Sequence, residues 1–250
     1  MAKTLCQRAP AFLRVNIRKT TIEKAQNILS GDGIQTVKHP SIITALRVIE
    51  GQNKIKNCTA YKDGFVEIQD ASSQASVIDL PRDSNLKILD YCCGSGGKSL
   101  ALDAWTEGKI FAYDIFPDRS FNLKTRAERS NAQITKISKP IKEMFDVIFC
   151  DVPCSGSGSW RRDPDGKWKL NANSWQNLLN TQIEVLNEAK ELLKTDGILI
   201  YATCSVLLSE NYKQLEKFCS INPEFEIKKA HQFLPSDLGD GFFYGFLKKK

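Results

Sequence analysis

The sequence predicts an α/β protein: a doubly wound, mostly parallel seven-stranded sheet with a small N-terminal α+β module in front of it. Three observations carry that expectation. From about residue 86 onward, strand-like apolar runs alternate with helical stretches, the pattern of parallel strands joined by right-handed crossovers. A glycine-rich turn, Gly94-Ser95-Gly96-Gly97, follows the first of these runs. And residues 1–56 hold ten Lys or Arg against three acids, a net of +7 in a chain of +6, so the remainder sums to −1.

Residues 12–17 alternate well enough for a strand. Thr20 followed three positions later by Glu23 reads as a helix start, and Gly31 as its stop. A strand near 34–37, a helix around 41–49 and a strand near 64–68 complete a basic module placed at residues 1–68. The larger domain, residues 69–250, opens with a strand at 86–91, the glycine turn, and a helix over 98–105. A strand at 109–115 precedes a helix over 117–129, with Pro117 suited to its first turn. A third strand spans 132–139. The strand at 145–150 leads into a long loop rich in Gly, Asp and Pro. A helix from 173 or 174 to 193 carries an apolar stripe at Leu178, Leu179, Ile183, Leu186, Ala189, Leu192 and Leu193. A strand at 197–203, a helix near 209–219 and a hairpin of strands at 225–228 and 242–247 finish the sheet with an antiparallel edge.

Composition excludes several classes. At 250 residues and 42% hydrophobic content the chain can bury one large core. No apolar run reaches the ~18 residues of a membrane helix, and the first residues lack the apolar core of a secretory signal. The eight cysteines read as thiols in a reducing cytoplasm. No metal site is expected: no cysteine pair has the Cys-x2-Cys spacing, and His39 and His231 are the two histidines present. The basic N-terminal stretch suits a polyanion such as nucleic acid, although a solvated face explains the charge equally well. A monomer is expected.

Two of the thiols share a setting. Cys154 follows Phe149-Cys150-Asp151-Val152-Pro153, and Cys204 follows Tyr201-Ala202-Thr203. In each case an apolar strand ends and the thiol sits in the first polar turn. Loops beyond the carboxyl ends of neighbouring parallel strands share one crevice, so both thiols face one site.

The glycine turn fits a nucleoside-containing cofactor. Gly-x-Gly-x-x-Gly is not met, because Lys98-Ser99-Leu100 follows Gly97, and a P-loop fails because position 92 is Cys92. Asp114 ends the second strand 18 residues past Gly96, where a carboxylate accepts from ribose hydroxyls. Without the pyrophosphate spacing, S-adenosyl-L-methionine is favoured over NAD. The thiols then have a use. Carbon 5 of a pyrimidine is too poor a nucleophile to take a methyl group, and a thiolate adding at carbon 6 makes it an enamine. An acid bonded to ring nitrogen 3 stabilises the developing charge, and Asp151 is placed for that.

These segments, with 161–168 (Arg161-Arg162-Asp163-Pro164-Asp165-Gly166-Lys167-Trp168), 69–74 and 239–244, resemble the RsmB/Sun (NOL/NSUN-type) family of S-adenosyl-L-methionine-dependent RNA cytosine-5 methyltransferases. The resemblance runs from about residue 10 to 248 and implies the Rossmann-like class I methyltransferase fold, acting on rRNA or tRNA. It implies Cys204 as nucleophile, Cys154 as the cysteine that aids release, and Asp151 bonding the base and the cofactor. It also implies Cys92, Cys93, Gly94, Ser95, Gly96, Gly97, Lys98 and Asp114 around the cofactor. Arg161, Arg162 and Lys167 become RNA-contact candidates, while Trp168 is left open between stacking on a base and packing under its loop. The family's usual first loop, Cys-Ala-x-Pro-Gly-Gly-Lys, is altered in its middle here. The third strand offers Thr135, Lys136 and Ser138 where the family aims an aspartate at the adenine, and Asp146 is expected to be structural. The helical domain that precedes this unit in the bacterial 16S enzyme has no counterpart in the sequence. The competing readings are a non-catalytic RNA-binding ribosome-assembly factor of the same fold, and a DNA cytosine methyltransferase, which Thr203-Cys204-Ser205 disfavours.

Overall fold

The computed structural model describes residues 2–83 and 85–250. The N-terminal part runs α1 (Ala2–Leu5), β1 (Ala11–Val15), α2 (Ile22–Gly31), β2 (Gln35–Lys38), β3 (Ala45–Glu50), a 3-10 turn (Gln52–Asn57), α3 (Thr59–Lys62) and β4 (Val66–Ile68). Its four strands pair antiparallel in the order β2-β3-β1-β4. The cap of α2 is Thr21 rather than Thr20, with its hydroxyl accepting from Lys24 N at 3.3 Å. The helix expected over 41–49 is instead a loop and the strand β3. Ile42, Ile43, Thr44, Val48 and Ile49 are β-branched, which stiffens the side chains against a helix and suits a strand paired on both sides. Leu46 and Val48 turn into the core formed with Leu13, Val15, Leu29 and Val66, while Ala45 packs toward the larger sheet.

α4 (Ala71–Ile78) leads to the larger sheet: β5 (Lys87–Asp90), α5 (Gly97–Trp105), β6 (Lys109–Ala112), a 3-10 turn (Pro117–Ser120), α6 (Leu123–Ser130), β7 (Ile134–Lys136) and β8 (Phe145–Asp151). α7 (Gly166–Lys169), α8 (Ala172–Lys190), β9 (Leu193–Thr203), α9 (Tyr212–Ile221), β10 (Phe225–Phe233) and β11 (Phe242–Lys249) follow. The seven strands lie in the order β10-β11-β9-β8-β5-β6-β7. Five of them are parallel, and β11 runs antiparallel to both β9 and β10. This is the doubly wound sheet that the alternation of strands and helices implied. β8 over residues 147–150 and β9 over residues 198–202 are continuous apolar runs, as strands covered on both faces require. α8 begins one residue earlier than expected, where the Asn171 side chain accepts from Ser174 N at 2.9 Å and Ser174 Oγ accepts from Asn171 N at 3.0 Å. Its buried stripe is Ile183, Leu186 and Ala189.

The two sheets share apolar packing of Phe12, Ile42 and Ala45 against Ala71, Ala75 and Ala101, and charged contacts add to it. Glu67 on β4, 2% exposed, takes ion pairs from Arg126 and Arg129 on α6. Arg18 reaches Asp103 on α5 at 3.3 Å, and Arg14 donates to Gln69 Oε1 at 2.7 Å and to the Gly97 carbonyl at 2.9 Å. Part of the basic charge of the first 56 residues is therefore spent inside the molecule. Arg8, Lys24, Lys54 and Lys56 stay exposed. Among the described residues, no helix is long and apolar enough to cross a membrane.

Candidate active site

The chemistry-bearing residues gather beyond the carboxyl ends of β5, β8 and β9. β5 has β6 on one side and β8 on the other, so the chain departs from it in opposite directions and a crevice opens above its end. β8 and β9 are neighbours, with Asp151 opposite Ala202. β8 is buried as far as Cys150 and β9 as far as Thr203, after which the chain turns outward, leaving Cys154 and Cys204 half-buried with their sulfurs 3.3 Å apart. Val152 N donates to Ala202 O at 3.0 Å and Gly158 N to Cys204 O at 2.9 Å, tying the two loops together. All eight cysteines are free thiols.

The pair shares a proton unequally. Cys204 lies below the usual thiol range, chiefly because Cys154 donates to it; burial and the Asp151 charge oppose this, and the Lys98 ammonium reinforces it. Cys154 is pushed well up by the same hydrogen bond, by burial and by the Glu210 charge. The first proton therefore leaves Cys204. The ammonium of Lys98, only 6% exposed, pairs with Asp151 Oδ2 at 3.1 Å, donates to Ser73 Oγ at 2.5 Å and lies 4.5 Å from the Phe242 ring centre. A charge so enclosed requires such partners. Among the described residues, the second Asp151 oxygen carries no hydrogen bond.

Beside the thiols lies a cavity of about 470 Å³, lined by Cys92, Gly94, Asp114, Phe116, Asp151 and Pro153 among others. Gly94 has φ +48°, and a Cβ added there would meet nothing within 4 Å. Its N–H donates to Asp114 Oδ2 at 2.8 Å while Phe116 N donates to Oδ1 at 2.9 Å, so the carboxylate is anchored at the mouth of the cavity. Of Gly94, Ser95, Gly96 and Gly97, only Gly94 lines this cavity. Cys93 packs against Ala112 and Leu123, and burial pushes its thiol up to about 12. Ser95 is held by Arg126, which donates to its carbonyl at 2.6 Å and its hydroxyl at 2.9 Å. Gly96, at φ +85°, is needed for packing, since a Cβ there would lie 2.2 Å from Leu123 Cδ1. Gly97 presents its carbonyl to Arg14, and Lys98 faces the thiols. A tight turn points successive side chains in different directions.

Several residues were not legible as site residues in the sequence. Asp90, fully buried at the end of β5, accepts from Ser99 Oγ at 2.6 Å, and burial pushes its carboxyl up to about 7. β7 carries no acid; besides Asp114 and Asp151, the acids on the cavity wall are Glu184 and Glu188 of α8. Glu188 accepts from Tyr91 OH at 2.7 Å and Lys139 Nζ at 2.5 Å. Asp146 accepts from Lys87 N and Lys194 Nζ, each at 2.8 Å, a structural position as expected.

The loop after Cys154 divides its candidates. The side chain of Arg161 is 1% exposed, and all three of its guanidinium nitrogens donate within the protein, to Asp240 at 2.6 Å, Ser236 O at 3.0 Å and Gly239 O at 2.7 Å. This is a strut, not a surface cation, because a buried guanidinium requires a carboxylate and carbonyls around it. Arg162, 40% exposed, bonds Asp240, Asp70 and Pro10 O. Lys167 is exposed with its Nζ 4.9 Å from the Trp168 ring centre, and Trp168 is itself 79% exposed rather than packed under the loop.

Residues 77–248 match the sequence profile of the family described as 16S rRNA methyltransferase RsmB/F. The chain belongs to that family. Ribosomal RNA small subunit methyltransferase B of Pasteurella multocida is 32% identical over 267 residues, an alignment covering 96% of this chain and 59% of that protein. The chain thus spans about three fifths of the length of the curated relatives it matches. Among solved structures, PH0851 superposes with a TM-score of 0.92 at 26% identity, covering 99% of this chain and 61% of that one. NSun6 from Pyrococcus horikoshii, solved with SFG, gives a TM-score of 0.85 at 16% identity over 99% of this chain and 92% of that one, a likeness of fold.

Proposed function

We propose that this chain methylates carbon 5 of a cytosine in rRNA or tRNA through a covalent thiol adduct, with S-adenosyl-L-methionine as methyl donor. The observation that carries the reading is the thiol pair, its sulfurs 3.3 Å apart just beyond the ends of neighbouring parallel strands. A surface that only bound RNA would gain nothing from two such thiols beside a carboxylate.

The neighbouring cavity suits the cofactor: its volume fits a nucleoside-sized ligand, Gly94 leaves room for close approach, and Asp114 and Asp151 supply acceptors for hydroxyl and ammonium donors. When bound, S-adenosyl-L-methionine offers an electrophilic methyl group. The chain's own residues do the rest. The target base is extruded into the crevice, and the Cys204 sulfur attacks its carbon 6, shifting the ring electrons to carbon 5. Asp151 has one oxygen on Lys98 and the other free; a proton held between that free oxygen and ring nitrogen 3 neutralises the negative charge that the attack puts into the ring. After transfer, the carbon 5 proton goes to a base and the carbon–sulfur bond breaks. The Cys154 thiol then donates to the departing Cys204 sulfur, making it a better leaving group. The exposed basic residues of 1–68, with Arg162 and Lys167, contact the RNA backbone. A reducing cytoplasm suits a chain whose eight cysteines are free thiols.

The test uses the Cys154→Ala protein, cellular RNA and the methyl donor. A covalent protein–RNA complex is expected, abolished by adding Cys204→Ser. If Cys154→Ser removes the complex and Cys204→Ser keeps it, the two roles are exchanged. RNA binding without binding of S-adenosyl-L-methionine by calorimetry indicates a non-catalytic assembly factor instead.

A further inference from the structure

Glu210 lies fully buried in the turn before α9, and no ion pair reaches it among the described residues. An ionised carboxylate offers about four acceptor sites, and here four donors fill them. Oε1 accepts from Ser155 N at 2.8 Å and Gln182 Nε2 at 3.1 Å; Oε2 accepts from Ser155 Oγ at 2.5 Å and Ser205 Oγ at 2.6 Å. Ser155 follows Cys154, and Ser205 follows Cys204. One carboxylate therefore bridges the residues just beyond both thiols.

The surrounding bonds act in the same sense. Ser157 Oγ lies 2.8 Å from Ser205 Oγ and accepts from Val206 N at 2.9 Å. Gln182 also donates to Pro153 O at 3.0 Å. The neighbouring Asn211 accepts from Thr203 Oγ1 at 2.6 Å and donates to Ser205 O at 3.0 Å, gripping the Cys204 loop from both sides. Burying a carboxylate without a counter-ion costs several kcal/mol in principle, and packing alone would be served by an apolar residue, so the charge calls for a reason.

We propose that Glu210 is the positioning residue of the thiol pair: by bridging Ser155 and Ser205 it holds the two sulfurs at hydrogen-bond distance and keeps the proton on Cys154 while Cys204 ionises. The charges around the pair are unequal. Glu210 weighs on Cys154, and the Lys98 ammonium favours the Cys204 thiolate, although the Asp151 charge weighs more heavily on that sulfur in the opposite sense. The inference rests on Cys204 being the attacking thiol, yet its test reads the thiols without RNA, so the two readings can fail separately.

The experiment is competitive alkylation by iodoacetamide across pH 6 to 9, with each cysteine followed by peptide mass spectrometry, on the full chain and on Glu210→Gln. In the unaltered protein Cys204 is alkylated ahead of Cys154. In Glu210→Gln, at unchanged melting temperature and unchanged S-adenosyl-L-methionine binding, the Cys204:Cys154 ratio is expected to fall about tenfold, as one unit of relative thiol acidity requires. A ratio unchanged within twofold in the folded variant overturns the proposal. Should Glu210→Gln fail to fold, Ser205→Ala keeps the carboxylate and deletes one of its four bonds. A lowered ratio there supports the bridge, and an unchanged one overturns it. Retention of covalent RNA trapping with a collapsed ratio would sustain the chemistry while relocating its control to Glu210.

Discussion

Two regions at the same end of the same sheet use carboxylates in opposite ways. Around the cavity, Asp114 and Asp151 stand at the surface of the space, each anchored by one or two donors, with Asp151 keeping an oxygen in hand. Beneath the thiols, Glu210 has every acceptor site filled by the protein's own loops. The difference teaches how to tell a carboxylate that handles a ligand from one that handles its own chain. The first is partly exposed and under-bonded, the second buried and saturated. Lys98 joins the regions, since its ammonium pairs with Asp151 on one side and favours the Cys204 thiolate on the other.

The comparison can be broken most decisively at the thiols. Cys204→Ser is expected to lower methyl transfer to RNA by on the order of 10³-fold or more, because the nucleophile itself is removed. Retention of more than a tenth of the transfer, measured with labelled methyl donor, would move the attack elsewhere. Asp151→Asn keeps the shape and removes the charge. A loss on the order of 10²-fold in kcat is expected, with a smaller change in RNA affinity; an equal loss in affinity alone would make Asp151 a binding residue only.

Next comes the buried strut. Arg161→Ala leaves Asp240 buried without its inner partner, at a cost of about 3–5 kcal/mol, so the melting temperature should drop by roughly 10 °C. The salt dependence of RNA binding should not change. Lys167→Ala should do the reverse, leaving the melting temperature alone and lowering the slope of log affinity against log salt by about 1. Interchanged results would overturn the division of that loop into an inner and an outer arginine-lysine set.

The smallest effect is on pH dependence. The Cys204 thiol is lowered chiefly by the bond from Cys154, so transfer rises with pH as Cys204 loses its proton below the usual thiol range. Cys154→Ala deletes that donor, returns Cys204 upward, and should shift the rising limb of adduct formation to higher pH. A limb that stays in place would mean that Lys98 alone sets the acidity of Cys204.

Much of this was legible in one dimension. Alternation of apolar runs and helical stretches located the parallel sheet, and the endings of two such runs put Cys154 and Cys204 at neighbouring strand ends. Boundaries slipped where local propensity was ambiguous: the stretch 41–49 has a helix-compatible spacing, but its β-branched residues pair into β3. The glycine turn was visible as a turn, yet the direction of each residue in it was not, because Cys93 and Gly96 answer to Leu123, a partner far along the chain. Arg161 and Arg162 look alike in sequence, and burial alone separates them. The net charge of the N-terminal residues suggested a polyanion, but Arg14 and Arg18 reach partners in the larger sheet.

The sequence by itself determined the class of fold, the crevice and the residue types within it, because hydrophobic period and turn chemistry are local properties of the chain. Only the tertiary structure decided which carboxylates face the open cavity, which cation is spent indoors, and how close two equivalent-looking thiols come to each other. Those outcomes depend on burial and on partners many residues away: Lys98 to Asp151, Arg161 to Asp240, and Glu210 to Ser155. An electrostatic preference of this kind exists only when the separation between groups is fixed, and no linear reading contains that separation.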